Sequence, residues 1–230
     1  IIATGEHGAI VHYEAVPDTD CAIVRDNFLL MDTGGHYYQG TTDVTRTVSI
    51  GNVTDEMKCR YTAVLRGNLR LAAARFPRGV GGTNLDILAR QYLWNNDLDF
   101  NHGTGHGIGY LLSIHEAPCR IRWQYGLEVT ALQEGMILSD EPGVYIENSH
   151  GIRLENELLI QKGVKNEYGQ FMHFETITYV PFDLDAIDAS IMREDEKELL
   201  NSYHHRVYDI VSPHLTEDEA EWLKYYTRKI

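Results

Sequence analysis

The stretch NHGTGHGIGY at residues 101–110 places glycine at every second position from Gly103 to Gly109. Four glycines would cost a helix about 1 kcal/mol each relative to alanine, which argues against a helical metal-binding pair. A phosphate-binding loop is not indicated, because the GxGxxG spacing fails and no Gly-Lys-Ser/Thr triplet follows. In an extended strand, the glycines would share one face and leave bare backbone that another segment could approach closely. The opposite face would then carry His102, Thr104, His106 and Ile108.

A third histidine, His115, follows at the far end of the same segment. A single histidine in such a place is more often a hydrogen-bonded core residue than a functional group. Three imidazoles in one short segment favour a functional site, although the core alternative stays open for each of them.

The rest of the chain alternates between strand-like and helix-like patterns. Strands are predicted at residues 21–24, 27–32, 43–50, 102–115, 128–131, 136–139, 143–146, 151–161 and 171–180. Helices are predicted to begin near Thr54 and Thr83, and a capping box at Thr216 opens the last helix of a helical tail. This order indicates an α+β fold, in which helices cover a curved and mostly antiparallel sheet.

Charge and cysteine content exclude several classes of protein. The 230 residues include 20 basic and 34 acidic side chains, for a net charge of −14. This balance argues against nucleic acid and anionic membranes as partners, because both attract basic surfaces. No apolar run approaches the roughly 20 residues of a membrane span. Cys21, Cys59 and Cys119 form no CxxC pair, which disfavours a disulfide framework or a thiolate zinc site and predicts a cytoplasmic protein.

Four carboxylates lie at the ends of apolar strands or inside them. Asp32 follows one strand, Asp43 opens the next, Glu141 follows an apolar run, and Glu155 lies within IRLENELLI. Buried carboxylates are costly unless they are paired, take up protons or hold cations. Each one alone is more often a paired or edge-exposed acid, so only their combination points to a site.

Together with His106, these acids resemble the pattern of the pita-bread metallopeptidases. The pattern consists of two aspartates separated by ten residues, then HGTGHGIG, EPG and IRLEN in that order. Further matches are GAIVHY, HEAP, SDEPGVY and FETITYVPFD, so the resemblance covers nearly residues 1–185. Within this group the chain is most similar to the X-prolyl aminopeptidases.

The resemblance implies a pair of divalent ions. The five implied ligands are Asp32, Asp43, His106, Glu141 and Glu155. By similarity, Asp43 and Glu155 would bridge the two ions, and Glu141 would also shuttle a proton. Oxygen-rich ligation with one imidazole favours Mn²⁺, with Zn²⁺ or Co²⁺ as alternatives. A hydroxide between the ions would then hydrolyse the first peptide bond of peptides with proline at the second position.

Five other residues match positions around this site in the family. His102 and His115 are expected to be catalytic and substrate-binding, and His115 would hydrogen-bond the intermediate or the substrate backbone. His12 is expected to bind substrate, and Tyr145 is expected to form part of the proline pocket. Arg153 would steady a ligand carboxylate and border the substrate site, with an ordinary salt bridge on the sheet as the alternative.

The sequence leaves alternatives open for the packing of the C-terminal residues and for the activity. We expect a catalytic domain at residues 1–190 and a helical extension at residues 191–230 that packs on it, or alternatively on a second subunit of a homodimer. The chain begins with Ile1 and not Met, so we expect the family's N-terminal domain or domains to precede it. A prolidase would use the same five ligands. A metal-free binding module with the same fold is the alternative from another class, and a methionine aminopeptidase is a more distant one.

Overall fold

A computed structural model describes residues 1–124, 126 and 129–230. These residues form eleven β-strands and four α-helices. The strands are β1 (Ile2–Thr4), β2 (Asn27–Tyr37), β3 (Gly40–Ile50), β4 (Arg75–Pro77), β5 (Gly105–Gly107), β6 (Glu116–Ile121), β7 (Ile137–Asp140), β8 (Gly143–Ile146), β9 (His150–Arg153), β10 (Asn156–Asn166) and β11 (Gly169–Thr176). The helices are α1 (Asp55–Ala72), α2 (Gly82–Trp94), α3 (Glu194–Val211) and α4 (Glu217–Tyr226).

The strands build three sheets, and every strand pairing among the described residues is antiparallel. The first sheet has the order β1-β2-β3, and the second has the order β4-β11-β10-β7-β5-β6. Strands β8 and β9 pair as a separate two-stranded ribbon. Helices α1 and α2 pack against each other and against this framework. The predicted α+β class with antiparallel sheets is therefore confirmed.

Two apolar cores hold the helices on the sheets. Helix α1 begins as predicted, since the Thr54 hydroxyl accepts the amide of Met57 at 3.2 Å. The first core joins α1 to β9 and to the chain that precedes α3, and the second lies between α2 and the six-stranded sheet. Full burial of each large apolar side chain in these cores contributes roughly 2 kcal/mol. The cores thereby fix β7, β9 and β10, whose ends place Glu141, Arg153 and Glu155 in the candidate site.

Several predicted strands differ from the structure. Residues 21–24 form no strand. Of residues 102–115, only β5 is a strand, because Leu112 and Ser113 adopt φ angles of 59° and 52° and the chain turns back on itself. The predicted strand at 128–131 begins on a residue outside the described part of the chain, and Ala131 forms an isolated bridge.

The predicted strand at 151–161 is in fact two strands that belong to different sheets. Strand β9 ends at Arg153 and β10 begins at Asn156. Between them, the Leu154 amide donates to the Pro142 oxygen at 3.3 Å and the Glu155 amide donates to the Thr45 oxygen at 3.0 Å. The apolar residues Ile152, Leu154, Leu158 and Ile160 fall on alternate positions on both sides of the break, so the sequence pattern predicts one strand. We refer to Leu154 and Glu155 as the sheet junction.

Two glycines of the 101–110 stretch are required by close backbone approach. A Cβ on Gly105 would overlap the backbone oxygen of Ser139, and one on Gly107 would overlap that of Glu116. Strand β5 lies between the two strands that carry those oxygens. The prediction that the bare face admits another segment is therefore confirmed for these two positions.

The C-terminal helices pack on the rest of the chain. Helix α3 buries Leu200, His204 and Val207, and its buried Glu196 accepts hydrogen bonds from the Arg66 guanidinium at 2.8 Å and the Tyr92 hydroxyl at 2.5 Å. The capping box predicted at Thr216 is present at the start of α4. The domain division at residue 190 stays a prediction. None of the helices formed by the described residues combines the length and apolarity needed to cross a bilayer.

Candidate metal centre

Nine of the ten residues predicted to form a site line one cavity of about 500 Å³. The cavity opens where β2, β3, β5, the end of β7 and the sheet junction meet. The nine residues are His12, Asp32, Asp43, His102, His106, His115, Glu141, Arg153 and Glu155. The convergence joins parts of the chain that are far apart in sequence, and the apolar cores beneath the sheets produce it.

Three potential ligands form the centre of this group. One donor atom each from Asp43, His106 and Glu155 lies within 4.8 Å of the other two. His106 donates its Nδ1 proton to the Gly107 oxygen at 3.0 Å, which leaves the lone pair on Nε2 facing the cavity. That nitrogen lies 3.7 Å from Asp43 Oδ2 and 3.4 Å from Glu141 Oε1. These separations are too long for strong hydrogen bonds and suit donors arranged around a cation.

The other two predicted ligands are oriented by one arginine. Arg153 is 3% exposed, and its NH2 group donates to Asp32 Oδ2 at 2.6 Å. Its Nε lies 3.9 Å from Glu141 Oε2. The Ser139 hydroxyl donates to the other oxygen of Glu141 at 3.3 Å. Arg153 therefore contacts two of the four acids, and Arg120 and Arg122 also line the cavity.

The acids raise one another's proton affinity because they are buried together. Burial, and then the neighbouring Asp32, raise the pKa of Asp43 to about 6. Burial raises the pKa of Glu141 to about 8, although Arg153 opposes this shift. Burial and the neighbouring acids raise the pKa of Glu155 well above its usual value, while burial lowers the pKa of His106. A divalent cation would relieve this repulsion, so the donor set fits a metal centre.

The sheet junction and β3 place Glu155 in the cavity. The Thr45 hydroxyl donates to Glu155 Oε2 at 2.7 Å, and the Thr45 oxygen accepts the Glu155 amide. Strand β3 therefore holds both the backbone amide and the carboxylate of Glu155, although Glu155 belongs to neither of the strands that flank it. The remaining carboxylate oxygen stays available for a ligand.

His102 is held in its neutral form. Its Nδ1 donates to the Gly103 oxygen at 2.7 Å, so Nε2 accepts a hydrogen bond from the Tyr145 hydroxyl at 2.8 Å. The Tyr145 oxygen in turn accepts a hydrogen bond from Arg153 at 3.0 Å. Burial lowers the pKa of His102 to about 4. Tyr145 lies behind the cavity wall and is absent from its lining, and its predicted part in a proline pocket stays a prediction.

The two remaining predicted residues lie at the rim. The His115 ring stands perpendicular to the ring of His106, with their centroids 4.3 Å apart. His12 lines the same cavity, after the short helical turn that follows β1. The geometry brings both imidazoles to the site, and their roles stay predictions.

Sequence reasoning missed three residues that support the ligands. Thr45 binds Glu155, and the Ser139 hydroxyl both accepts the His106 amide at 3.0 Å and donates to Glu141. Arg46, whose guanidinium donates to the Glu155 backbone oxygen, was missed although it lies on the face of β3 that also carries the apolar Val44 and Val48. A charged residue in that alternation was a signal available from the sequence.

A larger cavity of about 800 Å³ lies beside the first one, but it contains none of the five predicted ligands. Its walls are mostly apolar and include Ile108, Met136 and Ile177. The two cavities meet near Glu157, whose carboxylate accepts the Asp43 amide at 2.7 Å. We assign the chemistry to the smaller cavity because the titratable donors converge there.

Comparison of the sequence with known families gives two matches. Residues 1–162 match metallopeptidase family M24, and residues 170–230 match the C-terminal region of peptidase M24. Aminopeptidase P1 of Lotus japonicus is 44% identical over 234 residues, which cover 100% of this chain and 35% of that protein. The probable Xaa-Pro aminopeptidase P of Laccaria bicolor is 42% identical over 97% of this chain and 36% of its own length. The chain thus spans little more than a third of these curated relatives.

Solved structures give matching results. The X-prolyl aminopeptidase of Caenorhabditis elegans, described as a cytosolic enzyme with a di-nuclear active site, superposes with a TM-score of 0.93 at 38% identity. That match covers 100% of this chain and 38% of the nematode chain. Prolidase from Pyrococcus furiosus is 34% identical, with a TM-score of 0.61 over 69% of this chain and 45% of its own.

Proposed function

Since this chain belongs to metallopeptidase family M24, we propose that it is the catalytic part of an aminopeptidase that removes the N-terminal residue from peptides with proline in second place. The match to the nematode enzyme also confirms the predicted pita-bread fold, because it extends over the whole chain. The relatives are much longer than this chain, so the activity is proposed for the full-length protein.

The convergence of four carboxylates and one imidazole on a single cavity carries the proposal. We infer that Asp32, Asp43, His106, Glu141 and Glu155 hold two divalent ions. Mn²⁺ is the favoured metal because carboxylate oxygens dominate the donor set, with Zn²⁺ or Co²⁺ as alternatives. A bound pair of ions would supply Lewis acidity for activating water and polarising a carbonyl group.

The protein's own groups have distinct tasks in this proposal. Glu141 holds and transfers a proton at Oε1 or Oε2, because its carboxylate lines the cavity beside His106 and the other acids. At the rim of the cavity, His115 binds the intermediate or the substrate backbone, and His12 lines the pocket for the second residue of the substrate. Arg153 fixes Asp32, and through Tyr145 it fixes His102, whose ring borders the same space. The proline pocket is proposed to include this border.

A prolidase is the alternative that shares these ligands. The prolidase from Pyrococcus furiosus matches 69% of this chain, whereas the nematode aminopeptidase matches all of it. The full-length protein should therefore cleave an Xaa-Pro-Yaa tripeptide faster than the corresponding Xaa-Pro dipeptide. A preference for the dipeptide would identify a prolidase, and cleavage of Met-Ala-Ser would favour a methionine aminopeptidase.

A metal-free binding module is the alternative outside enzyme chemistry. It predicts that the purified protein carries no metal and takes up none on titration with Mn²⁺. Elemental analysis beside the tripeptide assay separates it from the aminopeptidase.

We also propose a cytoplasmic location, consistent with three free cysteines, and a homodimer that size-exclusion chromatography with light scattering would test.

A further inference from the structure

Arg46 is a buried cation whose hydrogen-bond partners are all neutral. The residue is 5% exposed, and its guanidinium lies 4.2 Å from the centroid of the Phe182 ring. Its acceptors are the oxygens of Thr45, Glu155, Val180 and Pro181, the Asn156 side chain and the Tyr203 hydroxyl. Burying a cation in this way is expensive, so the hydrogen-bond geometry around it is strongly constrained.

The Arg46 guanidinium bonds the backbone of the sheet junction to the backbone of β3, and we call this arrangement the clamp. Its NH1 group donates to the Thr45 oxygen at 2.8 Å and to the Glu155 oxygen at 2.5 Å. The Thr45 oxygen also accepts the Glu155 amide, and the Thr45 hydroxyl binds the Glu155 carboxylate. Arg46 therefore ties the backbone of Glu155 to the strand that orients its side chain.

The other side of the guanidinium reaches the C-terminal helices. Its NH2 group donates to the Tyr203 oxygen at 2.9 Å, and Tyr203 lies on α3. The Tyr203 hydroxyl donates to the Val180 oxygen at 2.7 Å, which holds the phenol in place. Only two side chains thus separate α3 from the backbone of a predicted ligand.

We propose that Arg46 is a positioning residue for Glu155 and that Tyr203 holds Arg46, so that α3 supports the metal site. This inference rests on the proposed role of Glu155 as a metal ligand. The inference gives α3 a function beyond covering the apolar core. The relevant quantity is the affinity of the site for metal, because misplacing one ligand weakens every bond to the ion.

The chain provides a matched pair of tyrosines for the test. Tyr203→Phe removes a hydroxyl that joins α3 to Arg46, whereas Tyr92→Phe removes a hydroxyl that joins α2 to Glu196 of α3. Tyr203→Phe removes the hydrogen bonds to Arg46 and to the Val180 oxygen. Tyr92→Phe removes those to Glu196 and Arg70. Each variant thus loses hydrogen bonds between α3 and the rest of the chain, but only the first touches the clamp. Mn²⁺ affinity is measured on the metal-free chain by following free Mn²⁺ with electron paramagnetic resonance. We expect about a tenfold loss for Tyr203→Phe and less than about a twofold change for Tyr92→Phe.

Substitution of Arg46 supplies the second arm. Arg46→Lys keeps the charge and part of the hydrogen bonding, so it should retain more Mn²⁺ affinity than Arg46→Gln. Hydrogen exchange at the Glu155 amide, measured without metal, should quicken in Tyr203→Phe and stay as in the wild type in Tyr92→Phe. Equal affinities and equal exchange in the two tyrosine variants would overturn the inference. A wild-type chain that takes up no Mn²⁺ would refute the proposed function instead, and the exchange measurement alone would then decide the positioning role.

Discussion

His204 should make the stability of this protein depend on pH in a defined window. Its side chain is fully buried, and Nε2 accepts the Phe182 amide at 3.0 Å. Burial lowers its pKa from 6.5 to about 3, and the positive charges of Arg46 and Arg228 add to the effect. Protonation would break the hydrogen bond and place a cation beside two others.

The sign follows from the protons bound in each state. Above pH 6.5 the imidazole is neutral in both the folded and the unfolded chain, so it contributes no pH dependence. Between pH 6.5 and about 3, the unfolded chain binds a proton that the folded chain rejects, and stability falls as pH falls. The slope approaches 1.4 kcal/mol per pH unit, which amounts to about 2 kcal/mol between neutral pH and pH 5.

Urea denaturation of the metal-free protein at several pH values between 7.5 and about 5 tests this reasoning. His204→Gln keeps an acceptor for the Phe182 amide and cannot titrate, so its free energy of unfolding should fall less steeply. The gap between the two proteins should narrow by about 2 kcal/mol towards pH 5. The control is His205→Gln, a neighbour on α3 with 75% of its side chain exposed, which should parallel the wild type. Parallel curves for wild type and His204→Gln would refute the argument.

Three further substitutions test the site, the sheet and the C-terminal helix. Glu155→Ala should release metal, as measured by elemental analysis, and abolish peptidase activity of the full-length protein; a variant with full metal content would contradict the ligand assignment. Gly105→Ala should lower the free energy of unfolding by about 2 kcal/mol or more because its Cβ overlaps the backbone of β7. Gly103→Ala has room and is the control, so equal effects would count against the close-approach argument. Leu200→Ala should cost about 2–5 kcal/mol in urea denaturation if α3 is part of the folded core, against less than about 1 for the 37% exposed Ile210→Ala. Equal, small losses would show that the helix is loosely attached.

The sequence predicts the helices and the fold class well because their signals are local. The caps at Thr54 and Thr216 and the alternation in β3 depend on neighbouring residues, and the structure has them where expected. The gathering of acids was predicted through the family resemblance and not from spacing. Burial of charged groups signals a site, but it does not say which distant segments will meet.

The failures of prediction also have physical causes. The break at Glu155 was missed because apolar residues alternate in the same register on both sides of it, although Asn156 interrupts the alternation. The strand predicted at 102–115 is shorter in the structure because Leu112 and Ser113 adopt positive φ angles. Neither residue type indicates such an angle in the sequence. Arg46 was overlooked because its partners are mostly backbone oxygens, which any sequence offers at every position.

The sheet junction has a mechanical consequence. Asp32 and Asp43 come from the three-stranded sheet, and His106 comes from the six-stranded one, while Glu155 lies between β9 and β10. An ion shared by these side chains would therefore cross-link the three-stranded and six-stranded sheets, much as a disulfide closes a long loop. Chelation of the metal should weaken the contact between the two sheets before either sheet unfolds. Cleavage by a protease would then begin at the sheet junction.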